Sequence, residues 1–424
     1  MKVILIGAGG RGMAYTDIMT DERFEVVAVA EPVKERRDYI KNKHNIPDEL
    51  CFTDWKPLLE KEKLADTAVI ATMDRDHFGP AMEAIGKGYN LLLEKPVSPS
   101  PEECVQIANY AKEKGVKIMV CHVLRFSPFF RTLKNMINDG KVGTVLSVHH
   151  AELVGNLHQS HSFVRGNWGN SERSSFMLLQ KSCHDMDIIQ WLIGSPCKSV
   201  QSFGSLTYFT KEKAPEGSPE NCHEGCPHAD TCMYNAIKLY YDDKENLWFR
   251  GAATQIPNPS DEEVMHALKT TQYGKCVYKC DNDVVDHQVV NLEFENSAVA
   301  TFTMCAFNKG TRSIRIMGTK GELYGDMEAN TIEYYDFETR ETTLINPNEH
   351  NVSSTIVDGH GGGDAGIVET FYKYTTEGYY GDDVSEIGIS VDNHLIAFAA
   401  EKSRLEHKVI DIKDYKAELN EKLN

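Results

Sequence analysis

A buried strand running into a glycine-rich turn opens the chain: Val3-Ile4-Leu5-Ile6-Gly7-Ala8-Gly9-Gly10-Arg11-Gly12. The apolar run does not alternate, which is typical of a strand buried on both faces of a parallel sheet. The turn has the spacing G-x-G-x-x-G, and helix-compatible residues follow it. Such glycines permit a tight turn, close approach of the backbone to a phosphate, and close packing of helix on strand. We therefore predict a dinucleotide-binding turn at a helix start, formed by Gly7, Gly9, Gly10, Arg11 and Gly12.

An acidic residue follows the second apolar strand. Val26 to Ala30 is that strand, and Glu31 comes directly after it. An acidic residue about 20 residues beyond the glycine turn holds the adenosine ribose in such folds. Its carboxylate repels a 2′-phosphate, so Glu31 favours NAD over NADP. Three basic residues follow and would oppose this preference unless they form a solvated helix face: Lys34, Arg36 and Arg37.

Strands and helix-length segments continue to alternate as far as residue 122. This pattern predicts right-handed crossovers and an α/β, doubly wound parallel sheet of the Rossmann type over residues 1–122. Thr72 and His77 follow the strand that starts at Thr67, and we predict that both line the cofactor cleft. A purely structural role for His77 is equally compatible with the sequence.

The strand Leu91 to Leu93 ends in Glu94-Lys95-Pro96. Ligands of open parallel sheets sit beyond the carboxyl ends of the strands. Glu94 and Lys95 are therefore predicted to face the cofactor, with the ammonium of Lys95 presented to a bound reactant. The alternative is a surface ion pair that closes the strand.

Size and composition indicate the class of protein. A chain of 424 residues is too long for one typical core, so two domains are expected. The net charge of -18 argues against nucleic acid and anionic membranes as partners. The chain has neither a signal-peptide pattern nor an apolar run of about 20 residues that could span a membrane. Eleven scattered cysteines are typical of reduced thiols, so we expect a cytoplasmic protein.

Alternating strands dominate the chain from Thr144 onward. They predict a second, α+β domain over residues 123–424, with a large, mostly antiparallel sheet covered by helices on one face. The segment 211–235 contains three prolines and three cysteines and is interpreted as an inserted loop.

A second polar cluster precedes the apolar helix that begins at Ile188. It runs from Gln180 to Asp187 and places His184 at the first helical turn, where it can face the cleft. Lys181 is a candidate for holding a substrate oxygen, and Asp185 is a further substrate candidate. Capping of the helix is the structural alternative for the carboxylates.

Two further segments are candidates for binding hydroxyl groups. The first contains His158, His161, Arg165 and Trp168, a set suited to hydrogen bonding and to stacking on a sugar, although its histidine spacing also resembles a metal site. The second is a glycine run before a helix that places His360 in a loop predicted to close over substrate.

Taken together, these motifs resemble the Gfo/Idh/MocA family of NAD(P)-dependent oxidoreductases. The resemblance rests on the glycine turn, Glu31, the Glu94-Lys95-Pro96 segment, Arg125 in Cys-His-Val-Leu-Arg-Phe, the segment around His184 and the late turn Gly-Thr-Lys-Gly. It implies that Lys95 and His184 act together, that Arg125 lies at the substrate site, and that the open sheet face forms a homodimer or homotetramer. An aspartate stands four residues before the histidine in much of the family. This chain has Gln180 there, and an amide cannot take a proton.

We therefore expect an NAD-dependent enzyme that transfers a hydride to or from a carbohydrate or cyclic polyol, with Lys95, His184 and Lys181 as catalytic residues. The alternative is a redox-neutral glycosidase or lyase that uses tightly bound NAD through a transient keto-sugar. A nucleotide-binding sensor without turnover is a third possibility, which the combination of Lys95 and His184 disfavours.

Three cysteines cluster in the inserted loop: Cys222, Cys226 and Cys232. Such a set, completed by a nearby histidine, predicts one structural zinc ion that staples the loop. Free thiols and a disulfide are the alternatives.

Overall fold

Two β-sheets, one in each half of the chain, organise the protein. The computed structural model describes residues 1–256, 258–350 and 362–423. No helix within these ranges has both the length and the apolar character needed to cross a membrane.

The first sheet has six parallel strands in the order β3-β2-β1-β4-β5-β6. Its strands are β1 (Lys2–Ile6), β2 (Glu25–Ala30), β3 (Cys51–Phe52), β4 (Thr67–Ile70), β5 (Asn90–Leu93) and β6 (Ile118–Val120). The accompanying helices are α1 (Gly10–Ile18), α2 (Lys34–His44), α3 (Trp55–Glu60), α4 (Phe78–Gly86) and α5 (Pro101–Lys114). The strand order reverses between β1 and β4, which is where such sheets bind dinucleotides. The predicted Rossmann sheet is confirmed.

The second sheet has nine strands in the order β14-β13-β12-β11-β7-β10-β9-β8-β15. They are β7 (Val145–Leu153), β8 (Cys197–Ser205), β9 (His287–Phe294), β10 (Val299–Cys305), β11 (Thr311–Gly318), β12 (Gly321–Asp326), β13 (Thr331–Asp336), β14 (Thr342–Ile345) and β15 (Ile410–Asp411). Neighbouring strands are antiparallel except for β7 and β10. The predicted mostly antiparallel sheet is therefore also confirmed.

Nine helices of the described residues belong to this half of the chain. They are α6 (Pro128–Asn138), α7 (Asn156–Ser160), α8 (Met177–Gln180), α9 (Cys183–Ile193), α10 (Leu247–Thr254), α11 (Asp261–Thr270), α12 (Gly363–Thr376), α13 (Ile387–Glu406) and α14 (Ile412–Leu423). Helices α9 and α13 pack on one face of the sheet. Burial alternates accordingly along β10, where Ala300, Phe302 and Met304 are buried while Val299 and Thr303 are exposed.

The structure differs from the sequence expectation in three places. The insertion occupies all of residues 206–286, between β8 and β9, and contains α10 and α11, so it is much larger than the predicted 211–235. Helix α12 packs through Ile367 and Phe371 on the core of the first sheet rather than on the second. The charged tail forms α14, whose Ile412 and Leu419 join the main core. Contacts between residues so far apart in the sequence cannot be predicted from local hydrophobic periodicity.

Candidate active site

The glycine turn is open on the side where a cofactor phosphate would lie. Gly7 has φ +89°, which favours glycine, and a Cβ on Gly12 would lie 2.0 Å from the carbonyl oxygen of Gly7. A Cβ on Gly9 or Gly10 would have no neighbour within 4 Å in the described structure. The first turn of α1 begins at Gly10, so its unbonded N–H groups face this space. The turn fits a pyrophosphate.

Glu31 is held at the edge of this turn. Its two carboxylate oxygens accept hydrogen bonds from the backbone N–H groups of Ala8, at 2.7 Å, and Val33, at 2.9 Å. Each oxygen keeps a lone pair, which is what the two ribose hydroxyls of NAD require. Glu31 therefore couples the glycine turn to the predicted ribose site.

The basic residues after Glu31 have partners elsewhere. Lys34 pairs with Asp38, and Arg36 donates to the side-chain oxygen of Gln255. Arg37 donates to the backbone carbonyl of Glu31 rather than toward the carboxylate. These contacts match the solvated-face alternative and leave the carboxylate of Glu31 as the charge nearest the predicted ribose.

Arg11 lies in a buried ionic network. Its guanidinium donates to Glu94 at 2.9 Å, to Asp364 at 3.0 Å and to the hydroxyl of Tyr15 at 2.6 Å. Burial alone would raise the pKa of Glu94, but Arg11 and Lys95 hold it below its usual value. The side chain of Arg11 thus joins the glycine turn to β5 and α12, and the place of Arg11 in the cofactor-binding turn stays a prediction.

The loop after β4 is tied to the end of β5. His77 is buried, with Nδ1 lying 2.8 Å from the carbonyl oxygen of Pro96 and Nε2 lying 3.2 Å from that of Thr72. The hydroxyl of Thr72 donates to the carbonyl of Asp76 at 3.0 Å. These contacts shape the loop that borders the strand-order reversal, and the lining of the cofactor cleft by Thr72 and His77 stays a prediction.

Lys95 and the segment before α9 meet at the cleft. The ammonium of Lys95 donates to the backbone carbonyl of Gln180 at 2.9 Å. The N–H of Lys95 donates to the carboxylate of Glu94, also at 2.9 Å, which fixes the strand end. His184 follows Gln180 by four residues, in the first turn of α9, and is 5% exposed. The structure thus brings Lys95 and His184 to one place, although their catalytic roles stay predictions.

A row of uncharged histidines lies behind His184. The ring centroid of His122 is 5.8 Å from that of His184 and 5.7 Å from that of His394. Burial lowers the pKa of His122 to about 4 and that of His394 to about 3. Nε2 of His394 accepts the N–H of Val97 at 3.0 Å, so His394 also supports the turn that follows Lys95.

Lys181 belongs to a second ionic group that includes two residues missed by sequence reasoning, Glu152 and Arg312. Lys181 lies 3.6 Å from Glu152, and Arg312 pairs with Glu152 and donates to Asp185 at 3.0 Å. Burial lowers the pKa of Lys181, while Glu152 opposes that shift. Although burial raises the pKa of Asp185, Arg312 and His150 lower it to about 2. The positive charges of Lys181 and Arg312 and the negative charges of Glu152 and Asp185 therefore largely neutralise one another.

Two family models match the chain. One is described as an oxidoreductase family with an NAD-binding Rossmann fold and matches residues 1–122. The other is described as the C-terminal alpha/beta domain of the oxidoreductase family and matches residues 134–363. The chain belongs to the Gfo/Idh/MocA oxidoreductase family.

Several members of this family resemble the chain. YteT of Bacillus subtilis (strain 168), whose name assigns it to the oxidoreductases without a substrate, is 26% identical over 325 residues, 72% of each chain. The 2,7-anhydro-N-acetylneuraminate hydratase of Mediterraneibacter gnavus is 28% identical over 204 residues, 47% of this chain and 51% of that protein. Levoglucosan dehydrogenase, solved with NADH and levoglucosan, has a TM-score of 0.68 and 17% identity over 97% of this chain and 99% of its own. That last likeness establishes the fold alone.

The two missed members of the Lys181 group leave a signal in the strand pattern of this Gfo/Idh/MocA chain. Glu152 shares the inward face of β7 with Val148 and His150, which are buried. Arg312 is on β11, on the same face as the buried Ile314 and Ile316. Charged residues at inward positions of an alternating strand indicate a polar site under the sheet. Alternation alone would therefore have found both.

Arg125 and Asp185 have structural partners. Arg125 is fully buried and makes two hydrogen bonds of 2.7 Å to Asp187. Its remaining donors face the backbone carbonyls of Asp382 and Val384. Asp185 is likewise buried, between His150 and Arg312. These contacts hold α9 in place, and the substrate contacts of Arg125 and Asp185 stay predictions.

The histidine segment after β7 is divided between two surroundings. The ring of His158 lies with its centroid 4.9 Å from that of Trp248, and burial, followed by the charge of Lys181, lowers the pKa of His158 to about 2. His161 stacks on Phe249 with centroids 4.1 Å apart, and burial lowers its pKa to about 3. The predicted substrate role therefore fits His158 better than His161.

The remaining predicted substrate residues lie elsewhere. Arg165 donates to the backbone carbonyls of Lys275 and Tyr234, within the insertion, and its contact with substrate stays a prediction. Trp168 packs beside Phe163 against the main core, which limits it as a stacking surface. His360 lies outside the described residues.

The predicted zinc site is not formed. Within the described ranges, no three His, Cys, Asp or Glu side chains are grouped so that they could hold a metal ion. Cys222, Cys226 and Cys232 are free thiols, partly exposed in the insertion. A single zinc ion needs four ligands within about 2.3 Å, so the zinc prediction is corrected.

Proposed function

We propose that this protein is an NAD-dependent oxidoreductase that transfers a hydride between the nicotinamide and a hydroxyl or keto carbon of a carbohydrate or cyclic polyol. The observation that carries the proposal is the hydrogen bond from Lys95 to the Gln180 carbonyl, with His184 one helical turn away. This pair lies at the carboxyl end of β5, on the same edge of the sheet as the glycine turn. A reactant between them would adjoin the nicotinamide half of a bound dinucleotide.

The chain's own groups support NAD as the cofactor. The open backbone at Gly9 and Gly10 would hold the pyrophosphate, and the carboxylate of Glu31 would hold the ribose hydroxyls. When bound, NAD supplies the hydride acceptor. Lys34, Arg36 and Arg37 have other partners. None of these three side chains is therefore placed to neutralise the charge of the 2′-phosphate of NADP.

His184 and Lys95 have different proposed roles at the substrate hydroxyl. His184 takes the hydroxyl proton as a general base, a role that contributes about 10²–10⁴-fold to a rate. The ammonium of Lys95 has three N–H donors, one of which is used by Gln180. The others are free to donate to the substrate oxygen and to stabilise its developing negative charge.

The polar group of Lys181, Glu152 and Arg312 supports a substrate rich in hydroxyls. An ammonium, a carboxylate and a guanidinium offer both donors and acceptors under the sheet. Burial lowers the pKa of His158 to about 2, so its ring is neutral and can both donate and accept. Such a set suits a sugar or cyclic polyol better than an apolar alcohol.

A redox-neutral reaction through a transient keto-sugar is the second candidate. Gln180 favours it, because an amide in the place of the usual aspartate cannot pass the proton onward and so disfavours net oxidation. The hydratase relative from Mediterraneibacter gnavus carries the name of a redox-neutral reaction.

NADH absorbance distinguishes the two candidates. The protein is incubated with NAD and a panel of inositols, anhydro-sugars and glycosides, with Lys95→Ala as the matched inactive variant. Growth of NADH in proportion to the sugar consumed supports the dehydrogenase, whereas sugar turnover at constant NADH supports the redox-neutral reaction. Sugar turnover that needs no NAD and persists in Lys95→Ala would overturn both.

We also propose a cytoplasmic homodimer or homotetramer assembled through the outward face of the second sheet. Phe203, Val299 and Tyr324 are 49%, 47% and 41% exposed and lie together on the outward face of the sheet. A second copy packed on this face would bury them. Light scattering on wild type and on Phe203→Glu tests the assembly, because a charge there would weaken the interface.

A further inference from the structure

Four cysteines of the insertion surround one cavity. Cys222, Cys226 and Cys232 come from a single stretch, and Cys276 comes from a segment more than 40 residues later. The two segments are held side by side, because the N–H of Cys222 donates to the Gly274 carbonyl and the N–H of Cys276 donates to the Glu220 carbonyl, both at 2.8 Å. The sequence pattern had indicated three of these thiols, and the fold adds the fourth.

A buried cation faces the same cavity. Arg165 is 1% exposed and lines the cavity together with the four cysteines. Its Nε and Nη2 donate to backbone carbonyls, and Nη2 also lies 3.9 Å from the sulfur of Cys222. Its Nη1 has no hydrogen-bond partner in the described part of the chain. A buried guanidinium with an unused donor is costly unless an anion accompanies it.

The arrangement excludes one kind of metal centre and suits another. Among the described residues, no three ligating side chains converge on a point where a single ion would sit. Four thiols that surround a cavity can instead bind a cluster of several atoms, because the atoms of the cluster fill the cavity between the thiols. Iron–sulfur clusters have this form, with four cysteine thiolates bound outside a core of iron and sulfide.

We propose that Cys222, Cys226, Cys232 and Cys276 bind an iron–sulfur cluster. Ligation replaces four S–H bonds by four Fe–S bonds and releases the four protons to solvent. The core contains ferric iron, so the step is balanced without a further oxidant when ferric iron is supplied together with ferrous iron and sulfide. The cluster and its thiolates would carry net negative charge, which the guanidinium of Arg165, 3.9 Å from the sulfur of Cys222 through Nη2, would offset. The insertion contacts the His158 and His161 segment through Trp248 and Phe249, so the cluster would also stiffen the wall of the proposed active site.

Iron and sulfide analysis of the full-length protein tests the proposal. The protein is purified anaerobically without a histidine tag, reconstituted with ferrous and ferric iron and sulfide, and desalted. We expect iron and acid-labile sulfide in equal amounts, about two or four of each per chain, with broad visible absorption that bleaches on reduction. Less than one iron per chain, or one zinc that blocks iron uptake, would overturn the proposal.

Single-cysteine variants locate the cluster. Cys226→Ala and Cys232→Ala, at partly exposed positions, are expected to lose most of the iron and the visible absorption. Cys280→Ala is the matched control, because Cys280 is buried nearby but does not line the cavity, and it should keep the wild-type iron content. Equal iron in all three variants would contradict the assignment. Circular dichroism confirms that each variant is folded, and neither readout depends on the proposed dehydrogenase activity.

Discussion

The ammonium nitrogen of Lys95 lies 2.9 Å from the backbone carbonyl oxygen of Gln180 and so joins the two domains at the proposed reaction centre. Lys95 follows β5 of the parallel sheet, whereas Gln180 ends α8 beneath the antiparallel sheet. A backbone acceptor orients the ammonium independently of which side chain occupies position 180. Gln180 therefore holds Lys95 in place through its backbone, while its amide side chain cannot accept a proton.

Lys95→Ala is expected to lower kcat by about 10²–10⁴-fold, because the developing charge on the substrate oxygen loses its donor. The Kd for NAD should stay close to the wild-type value, since Glu31 and the glycine turn are unchanged. Steady-state kinetics and fluorescence titration measure the two quantities. Lys112→Ala, on the exposed side of α5, is the control and should match wild type. A Lys95→Ala enzyme with wild-type kcat would remove Lys95 from the mechanism.

His184→Ala is expected to reduce kcat over the same range of about 10²–10⁴-fold. Because His184 and Lys95 act on one hydroxyl, the double variant should lose much less than the product of the two single losses. His266→Gln, exposed on α11, serves as the control for histidine removal. Fully multiplicative losses would mean that the two residues do not act on the same step.

Local sequence patterns were sufficient to predict the parts of the fold in which residues interact with close neighbours in the chain. The apolar run of β1, the glycine spacing and Glu31 each belong to one short βαβ unit, so their roles follow from neighbours in the chain. The first turn of α9 was found in the same way, since His184 precedes an apolar helix that ends at Gly194.

Long-range ionic partners were not predictable from such patterns. Arg11 pairs with Asp364, 353 residues away, and Lys181 pairs with Glu152 on another element. Periodicity reports which face of an element is buried but not which charge lies opposite. For the same reason the pairing of Arg125 with Asp187 could not be predicted from the sequence.

Glu31 is expected to make NAD bind at least about tenfold more tightly than NADP, a difference of about 1.4 kcal/mol. Glu31→Ala should weaken NAD binding, because the ribose hydroxyls lose an acceptor. It should also reduce the ratio of NAD affinity to NADP affinity, because a 2′-phosphate no longer meets a repelling charge. Isothermal titration with each cofactor measures both constants. Lys34→Ala should leave the ratio unchanged, because Lys34 is exposed and pairs with Asp38. Equal affinities in wild type would contradict the role given to Glu31.

Asp187→Ala is expected to lower the free energy of unfolding by about 3–5 kcal/mol, because it leaves the fully buried Arg125 without its charge partner. The double variant Arg125→Met/Asp187→Leu should recover much of this loss, since it removes both charges. Asp281→Ala, which breaks an exposed pair with Arg173, should cost about 1 kcal/mol or less. Urea unfolding measures all three. A fully stable Asp187→Ala with a raised KM would instead return Arg125 to the substrate site.

Acid is expected to destabilise the protein through its buried neutral histidines. Burial lowers the pKa of His122 to about 4 and that of His394 to about 3, whereas the unfolded chain binds these protons near pH 6.5. Between about pH 6.5 and pH 4 the unfolded state therefore holds more protons than the folded state, and stability falls as the pH falls. At pH 5 the lowered pKa of each histidine reduces the free energy of unfolding by about 2 kcal/mol. Above about pH 6.5 this reduction disappears.

Urea unfolding of wild type and His122→Gln at pH 7.5 and pH 5 measures this contribution, because glutamine does not titrate. The loss of stability between the two pH values should be smaller in the variant by about 2 kcal/mol. His266→Gln replaces an exposed histidine and should reproduce the wild-type loss. An unchanged loss in His122→Gln would mean that His122 is protonated in the folded protein. Since its ring lies 5.8 Å from that of His184, that result would also place a positive charge behind the proposed base.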